Sequence, residues 1–387
     1  MKFSEQPLWL VGFRPFFVVA CVAGMLLPVI WAMMFSGQLA SPVMPFSMIQ
    51  WHAHEMLYGF GWAVLGGFML TSTKNWVKIR GYHGSFLILL VFLWLIERGG
   101  MWFSGRLPSL VFAASNNLFL VTIVAMLLWT LLRHRAEDSF RTENWAFLII
   151  LPAFLVAKQL LLSEYYFAAG SSMAIGLFRM AFIVMLERTL GQFMKNAFQV
   201  SILRHALLDR SIKLLALVFV MESFLPRMLA ASVALLLAML LLLRLVFWKP
   251  MLAMRRLDLG IMYLGCMAII AQLVIEFINA VVSISWVGSV SVHVFTFGAM
   301  GLIIPAMLIR ICNGHTGRKV VFGVLDKLVL WIMMAAFLAR VVLPQFFPAD
   351  YLLWIDLAAV FWLTGFGLLA WRYIPFLMAA RVDGKEH

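Results

Sequence analysis

The chain has 387 residues, of which 64% are apolar and only 12% charged. Its mean hydropathy of +0.98 leaves too few polar side chains to coat a soluble globule, and excludes a disordered chain, a coiled coil or a secreted disulfide scaffold. The net charge of +13 comes from basic residues in short loops between apolar runs, which points to the field of a membrane rather than to nucleic acid.

In hydrocarbon only helices and closed barrels satisfy their own backbones. The apolar runs here have helical length, not the ten-residue alternation of a barrel strand. They predict an all-α polytopic membrane helix bundle with about twelve transmembrane helices, at roughly 15–36, 51–72, 84–97, 109–132, 144–162, 171–187, 211–225, 228–248, 258–283, 286–310, 323–344 and 351–372. Twelve spans leave no room for a soluble domain, so 1–387 is expected to form a single integral-membrane domain. The first run lacks a small-residue cleavage site and reads as a retained helix. An uncharged stretch, 37–50, precedes Trp51 and reads as interfacial. The third and seventh spans are short, bounded by Gly99–Gly100 and by Pro226. Residues 211–248 form either one broken helix or two closely joined ones. No internal repeat is evident. With the N-terminus inside, only Arg98, Arg106, Arg227 and Arg340 fall in outer loops, so both termini are expected in the cytoplasm.

An ionisable or metal-binding side chain in hydrocarbon is costly and calls for a partner or a purpose. The densest patch is Trp51-His52-Ala53-His54-Glu55-Met56, at the outer mouth of the second helix. Imidazole binds haem iron, copper and zinc, and thioether favours copper(I) and haem. Residues i and i+2 of a helix point apart, so one of His52 and His54 ligates while the other serves a second metal or supports the first. His293 on the tenth helix has a matching depth, and two imidazoles from two helices are a simple grip for a haem or the start of a copper site. That arrangement requires the second and tenth helices to meet. Glu222, Glu276, Lys158 and Arg179 also fall within spans, for proton transfer, haem-propionate contact or pairing among themselves. On the inner side, Gly314 and Gly317 flank His315, which either ligates or caps, and Arg14 anchors the surface or meets an anionic group. His134, His205 and His387 read as solvated. Cys21, Cys266 and Cys312 form no CxxC pair and read as buried fillers.

These stretches together resemble the NnrS family of bacterial membrane proteins. The resemblance is carried by 7–17, by the Trp51-to-Met56 patch with Gly59, Gly67 and Phe68, by Asn75-Trp76, by His293 with Gly298, by the stretch from Arg310 to Gly317, and by 371–375. It implies a twelve-span protein of the bacterial inner membrane that contains haem, taken as b-type, and copper. It implies work in nitrosative stress or denitrification, with nitric oxide as the small-molecule partner. A membrane or periplasmic electron donor would be a further partner. Ligand roles carry over to His52, His54, His293 and His315, with Met56 as a copper thioether and Glu55 among the supporting groups. Family members carry a proline turn near the end of the sixth helix. Here 187–196 lacks that proline, although Arg188 matches as a cofactor contact.

The residues allow a haem–copper protein that binds, detoxifies or converts nitric oxide. They also allow a twelve-helix secondary transporter, or a haem or copper delivery factor for respiratory enzymes. Clustered histidines in place of a substrate-sized polar lining favour the first.

Overall fold

Long apolar runs without internal polar breaks leave the backbone no partner but itself, and the chain answers with helix in every predicted segment. A computed structural model describes residues 2–385, so His387 lies outside the described residues. Among the described residues all regular structure is helical. We label the long helices α1 (Phe13–Phe35), α2 (Met48–His54, Glu55–Gly61 and Trp62–Trp76 in one run), α3 (Ser85–Trp102), α4 (Ser109–Arg133), α5 (Trp145–Leu162) and α6 (Phe167–Phe198). There follow α7 (Ala206–Phe219), α8 (Arg227–Phe247), α9 (Leu257–Val281), α10 (Val290–His315), α11 (Val324–Phe346) and α12 (Tyr351–Met378).

Ten of these are long and apolar enough to cross a membrane. The other two are α2 and α7. Polar and glycine positions, His52, His54 and Glu55 with Gly59, Gly61, Gly66 and Gly67, dilute the hydropathy of α2. The α7 helix has only 14 residues. It starts earlier than predicted and ends at Phe219; Glu222–Phe224 forms a separate turn before Pro226 opens α8. The stretch 211–248 is therefore two helices. The α6 helix runs well past 187, because no proline stands there to break it.

Three helices contain a wide π turn, at Glu55–Gly61, Val294–Met300 and Leu338–Val342. Composition carries no signature of a π turn, and none was predicted.

The chain divides into two compact units. Of the described residues, the first comprises 2–170, 308–321 and 366–385, and the second 171–307 and 322–365. In the first, α1 lies along α2. A side chain at Gly67 would run into Phe16, so the glycine sets how closely these two helices approach. The Thr71 hydroxyl donates to the Gly67 carbonyl (2.8 Å) and accepts the Phe13 amide (2.9 Å), one of the orphan donors at the start of α1. Phe16 meets Phe119 of α4 at 5.9 Å, and Trp62 of α2 meets Phe154 of α5 edge-on at 5.1 Å.

In the second unit, α9 packs along α8 and against the π turn of α10. A buried ion cluster ties α6, α7 and α8 together. Glu187 takes Lys213 (2.9 Å), Arg204 and Arg244 (3.4 Å), and Asp209 faces Arg244 at 3.8 Å. The later part of α6, where no proline stands, is thus held to its neighbours by charge.

Gly67→Leu should force α1 off α2. Overpacking of this kind costs about 1–3 kcal/mol or more, read as a lower thermal midpoint of the detergent-solubilised protein. An unchanged midpoint would contradict the close approach.

Candidate functional site

The start of α2 is fixed before any chemistry is placed on it. Ser47 caps the helix, with its hydroxyl accepting the Gln50 amide (3.2 Å) and its own amide donating to Gln50 Oε1 (2.9 Å). The Gln50 side chain then donates to the carbonyls of Leu161 and Ser163, both at 3.2 Å, and pins α2 to the end of α5. Trp51 is buried. His52 is half-buried and stacks on Trp31 with ring centres 4.2 Å apart and planes 20° apart, which fixes the plane of its imidazole.

His54 is fully buried, and both of its ring nitrogens are engaged. Nδ1 lies 3.2 Å from Glu55 Oε1. Nε2 lies 3.3 Å from Glu97 Oε1 and 3.2 Å from the Asn116 amide nitrogen. With a proton on Nε2 the ring donates to Glu97; without one it accepts from Asn116. Around it, Arg98 reaches Glu55 (3.2 Å) and Glu97 (2.9 Å). Lys158, with no exposed surface, donates to Glu97 and to the Asn116 carbonyl. Two carboxylates and two cations thus balance in a dry interior, which is what lets any of them stay there. Tyr58 closes the cluster, donating to the Phe154 carbonyl (3.2 Å) and lying under Lys158.

Sequence reasoning missed Glu97, Asn116 and Tyr58. It ended the third helix at 97 and put Arg98 in a loop, whereas α3 continues to Trp102 and buries both charges. An adjacent Glu and Arg closing an apolar run was the available signal. Lys158 was weighed as a partner for Glu222 or Glu276; its carboxylate is Glu97.

In the second unit, His293 ends the first turn of α10. Its Nδ1 donates to the Ser289 carbonyl (2.7 Å), which puts the lone pair on Nε2. Hydrogen-bonding to a backbone carbonyl is how a protein fixes the tautomer of a metal-binding imidazole. The Ser291 hydroxyl donates to Glu276 of α9 and fastens this turn to its neighbour.

The two helices share one design. In α2 the π turn occupies the seven residues after His54, Glu55–Gly61, and in α10 the seven after His293, Val294–Met300. A glycine stands five residues after each histidine, Gly59 and Gly298, and 15 residues of α-helix follow in each case. Both glycines admit a close neighbour. At Gly59 a side chain would meet the Arg98 guanidinium, and at Gly298 it would meet Ala268 and Phe337. The sequence likeness is only a histidine and a glycine at one spacing, too sparse to register alone.

The residues around Arg14 and His315 form a latch. Arg14 Nη1 donates to the carbonyls of Leu377 (2.7 Å) and Ala379 (2.6 Å), capping the end of α12. His315 lies against Phe13 with ring centres 5.4 Å apart, and its carbonyl accepts from Arg381 (3.1 Å). Asn313 donates to Tyr373, and Thr316 takes the Val382 amide (3.1 Å). Gly317, at φ +83, is the position the turn needs free of a side chain, with Asp383 packed over it. Beyond the helix, the hydrogen bond from Arg381 holds the Asp383 carboxyl down to about 2. Arg188 is half-buried within α6, beside Glu187.

Among the described residues no group of three or more His, Cys, Asp or Glu side chains is arranged to hold a metal ion. An imidazole-ligated haem needs only one or two such donors. The tautomer of His293 fits that role, and the fixed ring plane of His52 is compatible with it. His54, as placed, gives both nitrogens to carboxylate and amide groups and does not present a ligand.

Lys158→Met leaves Glu97 one cation short in a dry interior and should cost about 3–5 kcal/mol. Adding Glu97→Gln should recover more than half of that loss in denaturant unfolding. Additive losses would rule out the pairing.

A comparison with curated proteins finds no match. A family model described as "NnrS protein" matches residues 7–381.

Proposed function

The chain belongs to the NnrS family, and from that membership we propose a haem- and copper-carrying protein that acts on nitric oxide in the bacterial inner membrane. Twelve spans, one integral-membrane domain and cytoplasmic termini make up this reading. The alternation of basic loops supports it. So does the presence of helix in all twelve predicted segments, the two less apolar ones included.

The ligand roles fall to His293 through Nε2 and to His52, with the half-buried Met56 thioether as a soft donor suited to copper(I). When bound, a b-type haem would supply an iron able to take nitric oxide and exchange electrons, copper would supply a second redox metal, and a membrane or periplasmic donor would be the electron source. The residues of the chain do the rest. Ser289 holds the His293 tautomer. Trp31 holds the plane of His52. His54 and its carboxylates keep water out of the start of α2 and hold that helix to α3, α4 and α5. Nitric oxide is small and apolar and reaches such a site through the bilayer, so no channel is needed. The observation that carries the reading is the hydrogen bond from His293 Nδ1 to the Ser289 carbonyl, beside a π turn in a membrane helix.

The test is the absorption spectrum and metal content of the detergent-purified protein. Haem bands and copper are expected, with a spectral change on adding nitric oxide. His293→Ala and His52→Ala should each lower haem or copper occupancy, by about tenfold or more. His54→Ala should lower the yield of folded protein without selective loss of either cofactor. Full occupancy in both ligand variants would refute the assignment.

A further inference from the structure

The second unit contains a hollow of about 350 Å³, open on one side, where the end of α7, the Glu222–Phe224 turn, the start of α8 and the end of α9 come together. Its polar lining is Ser172, Glu222, Ser223, Arg227, Glu276 and Asn279, over Phe219. The volume admits roughly ten waters. We propose that this hollow is a proton-exchange port, in which Glu222, with the Glu276 carboxylate lining the same hollow, passes a proton between water and the interior of the second unit. Its use as the proton supply for the chemistry of nitric oxide rests on the function proposed above; the port itself does not.

Three observations support it. First, the hydrogen bonds of the nearby cations go to other groups. Arg227, on α8, donates to the Asn279 backbone carbonyl (2.9 Å). Arg179, on α6, is fully buried, gives Nη1 to Gln272 Oε1 (2.6 Å) and lays its guanidinium 4.6 Å from the Phe219 ring centre. Its Nε and Nη2 have no hydrogen-bond partner among the described residues. A buried cation beneath the floor works against a metal ion in the hollow but leaves room for a proton. Second, burial pushes the Glu222 carboxyl up to about 7; Arg179 and a hydrogen bond from Ser172 oppose the shift, and the charge of Glu276 adds to it. Glu222 thus holds its proton below neutral pH and gives it up above. Third, the port leads somewhere. Glu276 accepts from the Ser291 hydroxyl, two residues before His293 on the same turn of α10. One hydrogen-bonded step connects the water-facing acid to the backbone that carries the imidazole.

The test uses dicyclohexylcarbodiimide, which reacts with protonated carboxyls, on the purified full-length protein, with labelled residues mapped by mass spectrometry. Glu222 should be labelled at pH 6, and about thirtyfold less at pH 8.5, as expected for a carboxyl titrating near 7. Glu222→Gln should abolish this label, while the thermal midpoint stays within a few degrees. No label at Glu222, or labelling indifferent to pH, would overturn the port. In proteoliposomes given a reductant, Glu222→Gln should slow consumption of nitric oxide severalfold with haem and copper content unchanged; an unslowed rate would overturn the port as the proton supply. A wild-type protein that consumes no nitric oxide counts against the function above, and the labelling then decides the port alone.

Discussion

An ionised side chain taken into hydrocarbon loses its water, and a neighbour of opposite charge must replace that solvation at close range. Each unit meets this demand with its own cluster. Glu97 sits between Lys158 and Arg98 in the first, and Glu187 among Lys213, Arg204 and Arg244 in the second. Every one of these charges except Arg204 is largely buried, so the helices that carry them cannot separate without exposing an unmatched ion to lipid. The positions of α2, α3, α4 and α5, and separately of α6, α7 and α8, follow from this pairing as much as from apolar packing. The histidines inherit their placement from it.

Much of the fold was legible in the sequence because lipid allows so few backbones. Composition gave the class, and run length gave the segments. What it missed are features that hydropathy averages over. The α2 helix is the least apolar of the predicted spans because its histidines, glutamate and glycines serve the site. The α7 helix ends at Phe219, and the apolar run that follows is spent on the Glu222–Phe224 turn in place of continuing the helix. Glu97 escaped notice because it stands at the end of a run, where a charge normally marks the water interface; here the helix simply continues. At the site, the histidines were readable as types, but whether a ring nitrogen is engaged depends on partners more than 40 residues away, such as Glu97 and Asn116 for His54.

The shared design of α2 and α10 sharpens the contrast between their histidines. At one register position, a histidine followed by a π turn and a glycine, His54 lies between two carboxylates, while His293 rests on a carbonyl of its own helix. Equivalent backbone has been given different surroundings. The difference comes from the flanking helices, since α3 supplies Glu97 and Arg98 beside α2, and α9 supplies Glu276 beside α10 through Ser291.

A π turn holds one more residue than the α-helical turn it replaces. Removing a single residue from 55–61 would let α2 close into regular helix, and everything before the deletion would rotate by about 100° relative to 62–76. His52 would leave Trp31, and His54 would swing away from Glu97, even where the residue removed touches neither ring. The wide turn is thus a phase setting in the helical screw. It lets the first half of α2 face one set of neighbours and the second half another, and the identity of the side chains is of no use if that offset is lost.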